Sequence, residues 1–147
     1  MQGFLSKSLL LSKFTCICPK KMLPLRQIAC IMKVLLINGS PRAKGNTFIA
    51  LSEVANILNQ AGVETQIIHI GTQPVRGCVA CGACRKNNTH CAFSDPLYDQ
   101  LRQILDEGID GLVVGSPVYY AGPNGSLCAL LDRLFYSCGA KMAYKPA

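Results

Sequence analysis

With 147 residues, half of them apolar, the chain has the length of one domain and enough apolar surface to bury a core, which excludes a largely disordered chain. Its formal charge of +7 suggests a nucleic-acid partner only until it is mapped, because Lys7, Lys13, Lys20, Lys21 and Arg26 place five positive charges in an acid-free stretch, 1–31. Residues 32–147 hold ten basic and eight acidic side chains with no basic helix or stripe, which argues against nucleic-acid binding.

The stretch 1–31 reads as an extension, disordered or extraneous, ahead of a domain at 32–147. Leu9–Leu11 is too short a run to span a bilayer, so no membrane partner is expected. The basic residues are scattered rather than set before one apolar block, and Met32 stands directly before the first strand pattern. An organelle leader is the alternative, given the absence of acids. Of nine cysteines, Cys16, Cys18 and Cys30 fall in this stretch, Cys78, Cys81, Cys84 and Cys91 cluster, and Cys128 and Cys138 stand alone. A chain of this length with clear helix and strand patterns is not a secreted disulfide scaffold. The expectation is a cytoplasmic protein with reduced thiols.

Val34–Ile37 is a short apolar run bounded by Asn38, Gly39, Ser40 and Pro41, the pattern of a buried strand entering a turn. From Thr47 to Gln60 the apolar residues fall at 48, 51, 54, 55 and 58, one face of a helix with Asn46 or Thr47 as cap and Gly62 as stop. Val63–Ile70 is rich in β-branched residues and forms a second strand, completing a right-handed βαβ unit. The loop between the first strand and the helix is a natural anion site, since free N–H groups and the helix dipole both favour phosphate there. It is neither the dinucleotide GxGxxG fingerprint nor a Walker loop.

Gly71–Ser94 shows no helical period and reads as a long loop carrying the cysteine cluster. Asp95-Pro96 opens a helix, with Leu97, Leu101, Ile104 and Leu105 on one face and Gly108 as its end. Leu112–Val114 is a third, wholly apolar strand, as an interior parallel strand should be. It runs into the loop Gly115–Pro123. The last helix turns Leu127, Leu130, Leu131, Leu134 and Phe135 inward and ends near Gly139. Asp132-Arg133 reads as a structural ion pair or an interface element. Neither His69, at a strand end, nor His90, beside the cysteines, has a partner at a spacing that suggests a ligand or base.

Three motifs in order carry a family resemblance: Lys33–Arg42 with Gly45-Asn46-Thr47, then Cys78-x-x-Cys81-x-x-Cys84 with Cys91 and Asp95, then Gly115–Gly125 with Leu131–Tyr136. The chain resembles the flavodoxin-like NAD(P)H-dependent FMN reductases, a group that includes iron–sulfur flavoproteins and quinone or azo reductases. The resemblance implies an α/β three-layer sandwich with a parallel sheet ordered 2-1-3-4-5 and FMN at the switch between strands one and three. Only three βα units are present, so the sheet is expected to be incomplete, as in a fragment, a misjudged reading frame or a degenerate member. The resemblance makes Ser40, Arg42, Gly45, Asn46 and Thr47 the phosphate loop. Pro117, Val118, Tyr119, Tyr120 and Gly122 become a lip beside the isoalloxazine, with Tyr119 or Tyr120 near the ring.

The activity so implied is hydride transfer from NAD(P)H to N5 of FMN and on to a small-molecule acceptor: a quinone, flavin, azo or nitro compound, or a metal centre. No catalytic side chain is required, and a homodimer is expected. Cys78, Cys81, Cys84 and Cys91 match a [4Fe–4S] ligand pattern. A structural loop, a zinc site or a cycling dithiol remain open for them. The other readings are an iron–sulfur flavoprotein, a flavodoxin-type electron carrier and a non-catalytic truncated remnant.

Overall fold

The computed structural model describes residues 31–86 and 90–147. The reading of 1–31 as an extension, with Cys16, Cys18 and Cys30, falls outside the described residues except at Ile31. Three strands form a parallel sheet ordered β2-β1-β3: β1 Lys33–Asn38, β2 Glu64–His69 and β3 Gly111–Gly115. The register sets Asn38 opposite His69 on one side and Gly115 on the other. The carboxyl ends of all three strands therefore open at one edge, with β1 in the middle.

The alternation along β1 explains its unbroken apolar run. Leu36, with Val34 beside it, packs against Leu51 and Ala55 of helix α1, Asn46–Gln60. Leu35 and Ile37 face the other way, into the larger core built on helices α3, Pro96–Glu107, and α4, Gly125–Met142. A strand covered on both faces needs apolar residues at every position. The result is the flavodoxin-like α/β arrangement of helix, parallel sheet and helix layers. Beyond β3 the chain returns along the outer edge, where Leu112 N–H donates to the Pro146 carbonyl at 3.1 Å.

Several local expectations change. Neither Asn46 nor Thr47 caps α1; both lie in its first turn and line the cleft beside it, so the cap falls to Gly45, which has no side chain to bond. The cysteine loop is not wholly irregular, since Ala83–Lys86 forms a single turn, α2. The lip contains a two-stranded hairpin, β4 Val118–Tyr119 and β5 Gly122–Pro123. Helix α4 continues through Gly139 to Met142, because Cys138 and Met142 pack on the core and outweigh glycine's cost of about 1 kcal/mol in a helix. Phe135 is not turned inward. It is half exposed, beside an apolar groove of about 240 Å³ with Ile109, Leu112, Met142 and Pro146.

Asp95 caps α3 as expected, its carboxylate accepting from Tyr98 N–H at 2.9 Å, with Pro96 in the first turn and Gly108 as the end. Tyr98 is the buried anchor of that helix together with Leu101 and Leu105.

Candidate functional site

The largest cavity, about 790 Å³, lies at the carboxyl ends of β1 and β3. Ser40, Arg42, Gly45, Asn46 and Thr47 form one wall and Pro117, Val118 and Tyr119 the other, so eight of the ten sequence-designated residues line a single cleft. Tyr120 and Gly122 are outside it. Tyr120 is fully exposed at the tip of the β4–β5 hairpin, and Gly122 is held in β5, paired with Tyr119. Of the two tyrosines, Tyr119 is the one that borders the cleft. Ala50, Leu51 and Val54 of α1, with Val114 and Ser116, complete the lining. Their contribution has no local sequence signal, since a helix residue's second role as a cleft wall depends on what stands opposite.

The loop after β1 can meet an anion because, among the described residues, nothing satisfies the start of α1. Its cap residue makes no side-chain hydrogen bond and its first turn has no acid, so the N–H groups of Asn46, Thr47 and Phe48 remain open at the positive end of a fifteen-residue helix. Arg42 stands beside them. Such a set of donors suits a phosphate.

Buried polar groups hold this loop in shape. Asn38 is fully buried at the end of β1, and its side-chain oxygen accepts from Ser40 N–H at 3.1 Å. His69 Nε2 lies 2.7 Å from the Ser40 carbonyl and donates to it. Asn124 Nδ2 donates to the Gly39 carbonyl at 2.7 Å, while Asn124 Oδ1 accepts from Ser126 N–H to cap α4. Gly39 N–H donates to Gly115 O at 2.7 Å, tying the first loop to the lip. A Cβ at Gly39 would stand 2.5 Å from Leu127 Cδ2 and 2.8 Å from Gly115 O, so only glycine fits. The bracing role of His69 was not legible in the sequence, because its partner lies 29 residues away.

The lip is strained. Tyr120 and Ala121 have φ of 51° and 84°, the left-handed region at both centres of a two-residue hairpin turn, where glycine and asparagine are normally found.

A second, small cavity of about 20 Å³ lies under the cysteine loop and is lined by Cys78, Cys81, Cys84 and Cys91, all free thiols. Across it stands Arg133 of α4, 1% exposed. Its partner is Asp95, not the adjacent Asp132, which corrects the reading of Asp132-Arg133 as a pair. A helix sends neighbouring residues in different directions, and α4 turns Arg133 toward the loop. The guanidinium also donates to the carbonyls of Phe93 and Arg76, the latter at 3.4 Å, and sits 4.4 Å from the Tyr98 ring centroid.

A hydroxyl chain runs alongside. Cys91 N–H donates to Tyr98 Oη at 3.0 Å, Tyr98 O–H to Ser137 Oγ at 2.8 Å, and Ser137 O–H to the Arg133 carbonyl at 2.6 Å. The serine's single hydrogen is committed to that carbonyl, which fixes the direction of the other two bonds. Burial raises the Tyr98 pKa above its ordinary value and keeps the phenol protonated. Partial burial works against the Asp95 charge, but Arg133 and the Tyr98 N–H more than offset it, so the carboxyl lies below its usual range. Burial also works against Arg133, and Asp95 with the neighbouring Cys91 sulfur more than offset it.

The donor set of four sulfurs suits a thiolate-held cluster in kind and number. The sulfurs are not gathered: among the described residues no three His, Cys, Asp or Glu side chains stand close enough to share a metal ion. The cavity has room for about one water, too little for a cluster. Among the described residues no helix is long and apolar enough to cross a membrane.

The comparisons with known proteins agree with this architecture. The chain is 34% identical over 102 residues to an iron-sulfur flavoprotein of Methanocaldococcus jannaschii, covering 69% of this chain and 51% of that protein. An iron-sulfur flavoprotein of Archaeoglobus fulgidus is 35% identical over 102 residues, covering 69% and 48%. An FMN reductase (NADPH) of Pseudomonas putida is 29% identical over 103 residues, covering 70% and 47%. The chain thus spans about half the length of the curated relatives it matches. The model of the family described as NADPH-dependent FMN reductase matches residues 32–147, and the chain belongs to that family.

Proposed function

We propose that this chain binds FMN in the cleft between β1 and β3 and works as an FMN-dependent oxidoreductase. The single observation that carries the reading is the union in one cavity of an open, uncapped helix start and the Pro117–Tyr119 lip. Ser40, Asn46 and Thr47 would hold the phosphate by hydroxyl, side-chain and main-chain donors, with Arg42 offsetting its charge. Pro117, Val118 and Tyr119 would flank the ring, Tyr119 offering an aromatic face. FMN, when bound, would supply the redox chemistry, the transfer of hydride and electrons between a nicotinamide and an acceptor. The chain's own part is to bind, orient and exclude water. His69, Asn38 and Asn124 keep the phosphate loop rigid, and Leu51 and Val54 form an apolar floor. NAD(P)H as donor, a small-molecule acceptor and a homodimer are what the family resemblance implies, and a cytoplasmic location rests on reading the cysteines as reduced thiols.

The test is titration of the full chain with FMN and with riboflavin, followed by flavin fluorescence. Tighter binding of FMN, weakened at least tenfold by Thr47→Val with Ser40→Ala, is expected. Equal affinity for FMN and riboflavin would refute the phosphate assignment. NADPH and NADH oxidation, with quinone or ferric acceptors, then separates a reductase from a one-electron carrier.

A second reading has its own observation. Four cysteines line one cavity, and several relatives are described as iron-sulfur flavoproteins. Cys78, Cys81, Cys84 and Cys91 would hold a [4Fe–4S] cluster that stores and passes on single electrons. Iron and acid-labile sulfide content after anaerobic reconstitution tests it.

A further inference from the structure

Among the described residues only two cysteines are exposed, Cys78 and Cys81. They stand at Cys-x-x-Cys spacing and line the same void, which has room for about one water. Ala80, between them, has φ of 54°, a left-handed backbone that strains any residue but glycine. In that conformation the Ala80 N–H donates to the Cys78 sulfur, 3.4 Å away. A backbone donor held on a sulfur steadies the negative charge it carries as a nucleophile. Of the two sulfurs, only Cys78 receives such a bond among the described residues. The surroundings are positive. Gly71–Ser94 contains Arg76, Arg85 and Lys86 and no acid. All three are exposed, and none is paired with a carboxylate among the described residues. Two of them are held by rings: Arg76 lies 3.9 Å from the Phe93 centroid and Arg85 4.0 Å from that of Tyr136. Arg133 fixes both ends of the loop, at Arg76 and at Phe93 and Asp95, so a bond closed inside it leaves the rest of the fold in place.

We propose that Cys78 and Cys81 are a redox dithiol that reduces small disulfides bearing negative charge, with Cys78 attacking and Cys81 resolving. The site is separate from the flavin cleft and needs no metal. Cys-x-x-Cys is the spacing at which a dithiol opens and closes within one short ring. The Cys78 sulfur attacks one sulfur of the substrate; the substrate S–S bond breaks, a mixed disulfide forms and the first thiol leaves. The Cys81 sulfur then attacks the Cys78 sulfur, the mixed disulfide breaks and the second thiol leaves. The two protons of Cys78 and Cys81 end on the two released thiols. The protein pair is oxidised by two electrons and the substrate is reduced by two. Arg76, Arg85 and Lys86 set the substrate class, because an acid-free loop with three free cations draws a carboxylate-bearing disulfide and repels an amine-bearing one.

The test mixes the reduced full chain with glutathione disulfide, which carries carboxylates, and with cystamine, which carries amines. Free-thiol titration, protein mass and peptide mapping are the readouts. Expected with glutathione disulfide is a protein disulfide between Cys78 and Cys81 and two glutathione thiols released per chain. Cys81→Ser should stop at the mixed disulfide, with one glutathione on Cys78, and Cys78→Ser should form neither product. Cystamine should react about tenfold more slowly at low ionic strength, and added salt should narrow the gap. A wild-type chain that forms no disulfide, joins a different pair of cysteines, or has these thiols already taken by a metal overturns the proposal. So does Cys81→Ser releasing two thiols like wild type. Equal rates for the two reagents overturn the anionic substrate class. The wild-type peptide map needs no variant, so it decides the pairing even if a serine variant fails to fold.

Discussion

The cleft at the strand ends and the pocket under the cysteine loop lie on one chain but are held by different means. Around the cleft, main chain is fixed to main chain and to short polar side chains: Gly39 to Gly115, Asn124 to Gly39, Asn38 and His69 to Ser40. The cysteine pocket is held by long side chains instead: Arg133 reaches from α4 to both ends of the loop, and Tyr98 Oη takes the Cys91 N–H. The first design spreads its strength over several neutral bonds that give roughly 1 kcal/mol each. The second concentrates it in one buried ion pair, whose breaking leaves a charge stranded in the interior. A site made the first way is rigid in advance.

Removing the Asp95 charge breaks the comparison hardest. Asp95→Asn keeps a side chain able to cap α3 but leaves Arg133 buried and unpaired, and should cost about 3 kcal/mol in denaturant melts at neutral pH. FMN affinity should stay within about twofold, because the cleft shares none of these bonds. Loss of FMN binding in a folded variant would show that the two regions are coupled. The same pair has a pH signature. Asp95 lies below its usual pKa in the folded protein, so its contribution is full at neutral pH and fades as pH falls through the acid range below about pH 4. The stability gap between wild type and Asp95→Asn should therefore shrink toward pH 2, and a constant gap would refute the assignment.

Gly39→Ala attacks the other region. Its Cβ would collide with a backbone oxygen as well as with Leu127, so a cost of about 2–3 kcal/mol and a sharp loss of FMN binding are expected. The reactivity of the four thiols toward a disulfide reagent should not change. Asn124→Ala is milder, at about 1–2 kcal/mol, since it removes one cap and one buried bond. It sharpens the contrast if FMN is weakened more than riboflavin, and blunts it if both fall equally. Ala121→Gly should be the smallest change and stabilising, by about 0.5–1 kcal/mol, because it relieves a left-handed backbone at φ 84°. A destabilised Ala121→Gly would mean that the hairpin conformation is not the source of strain.

Local signals made most of the fold legible. Val34–Ile37 and Leu112–Val114 are short apolar runs with turn residues beside them, and they are β1 and β3 within a residue or so. Asp95-Pro96 and Gly108 mark the ends of α3 because caps act within one turn. The two loops after β1 and β3 were designated through a family resemblance carried by their Gly, Ser, Pro and Thr motifs, and the parallel register brings eight of the ten designated residues to one cleft. Gly139 misled because tertiary packing outweighs one glycine, and Phe135 because a helix period cannot say where the neighbouring layer ends.

By itself the sequence determined the three sheet strands, the three long helices and the residues on offer: a Gly-Ser-Pro loop before a helix, a tyrosine-bearing loop after the third strand and four clustered thiols. Each of these is set by residues within a few positions of one another. Only the tertiary structure decided the partners. Asp95 and Arg133 are 38 residues apart and His69 and Ser40 are 29. Their pairing depends on which face α4 turns to the loop and on which strand lies beside β1. Such choices are made by the packing of whole layers, where burying one polar group forces another, far along the chain, to meet it.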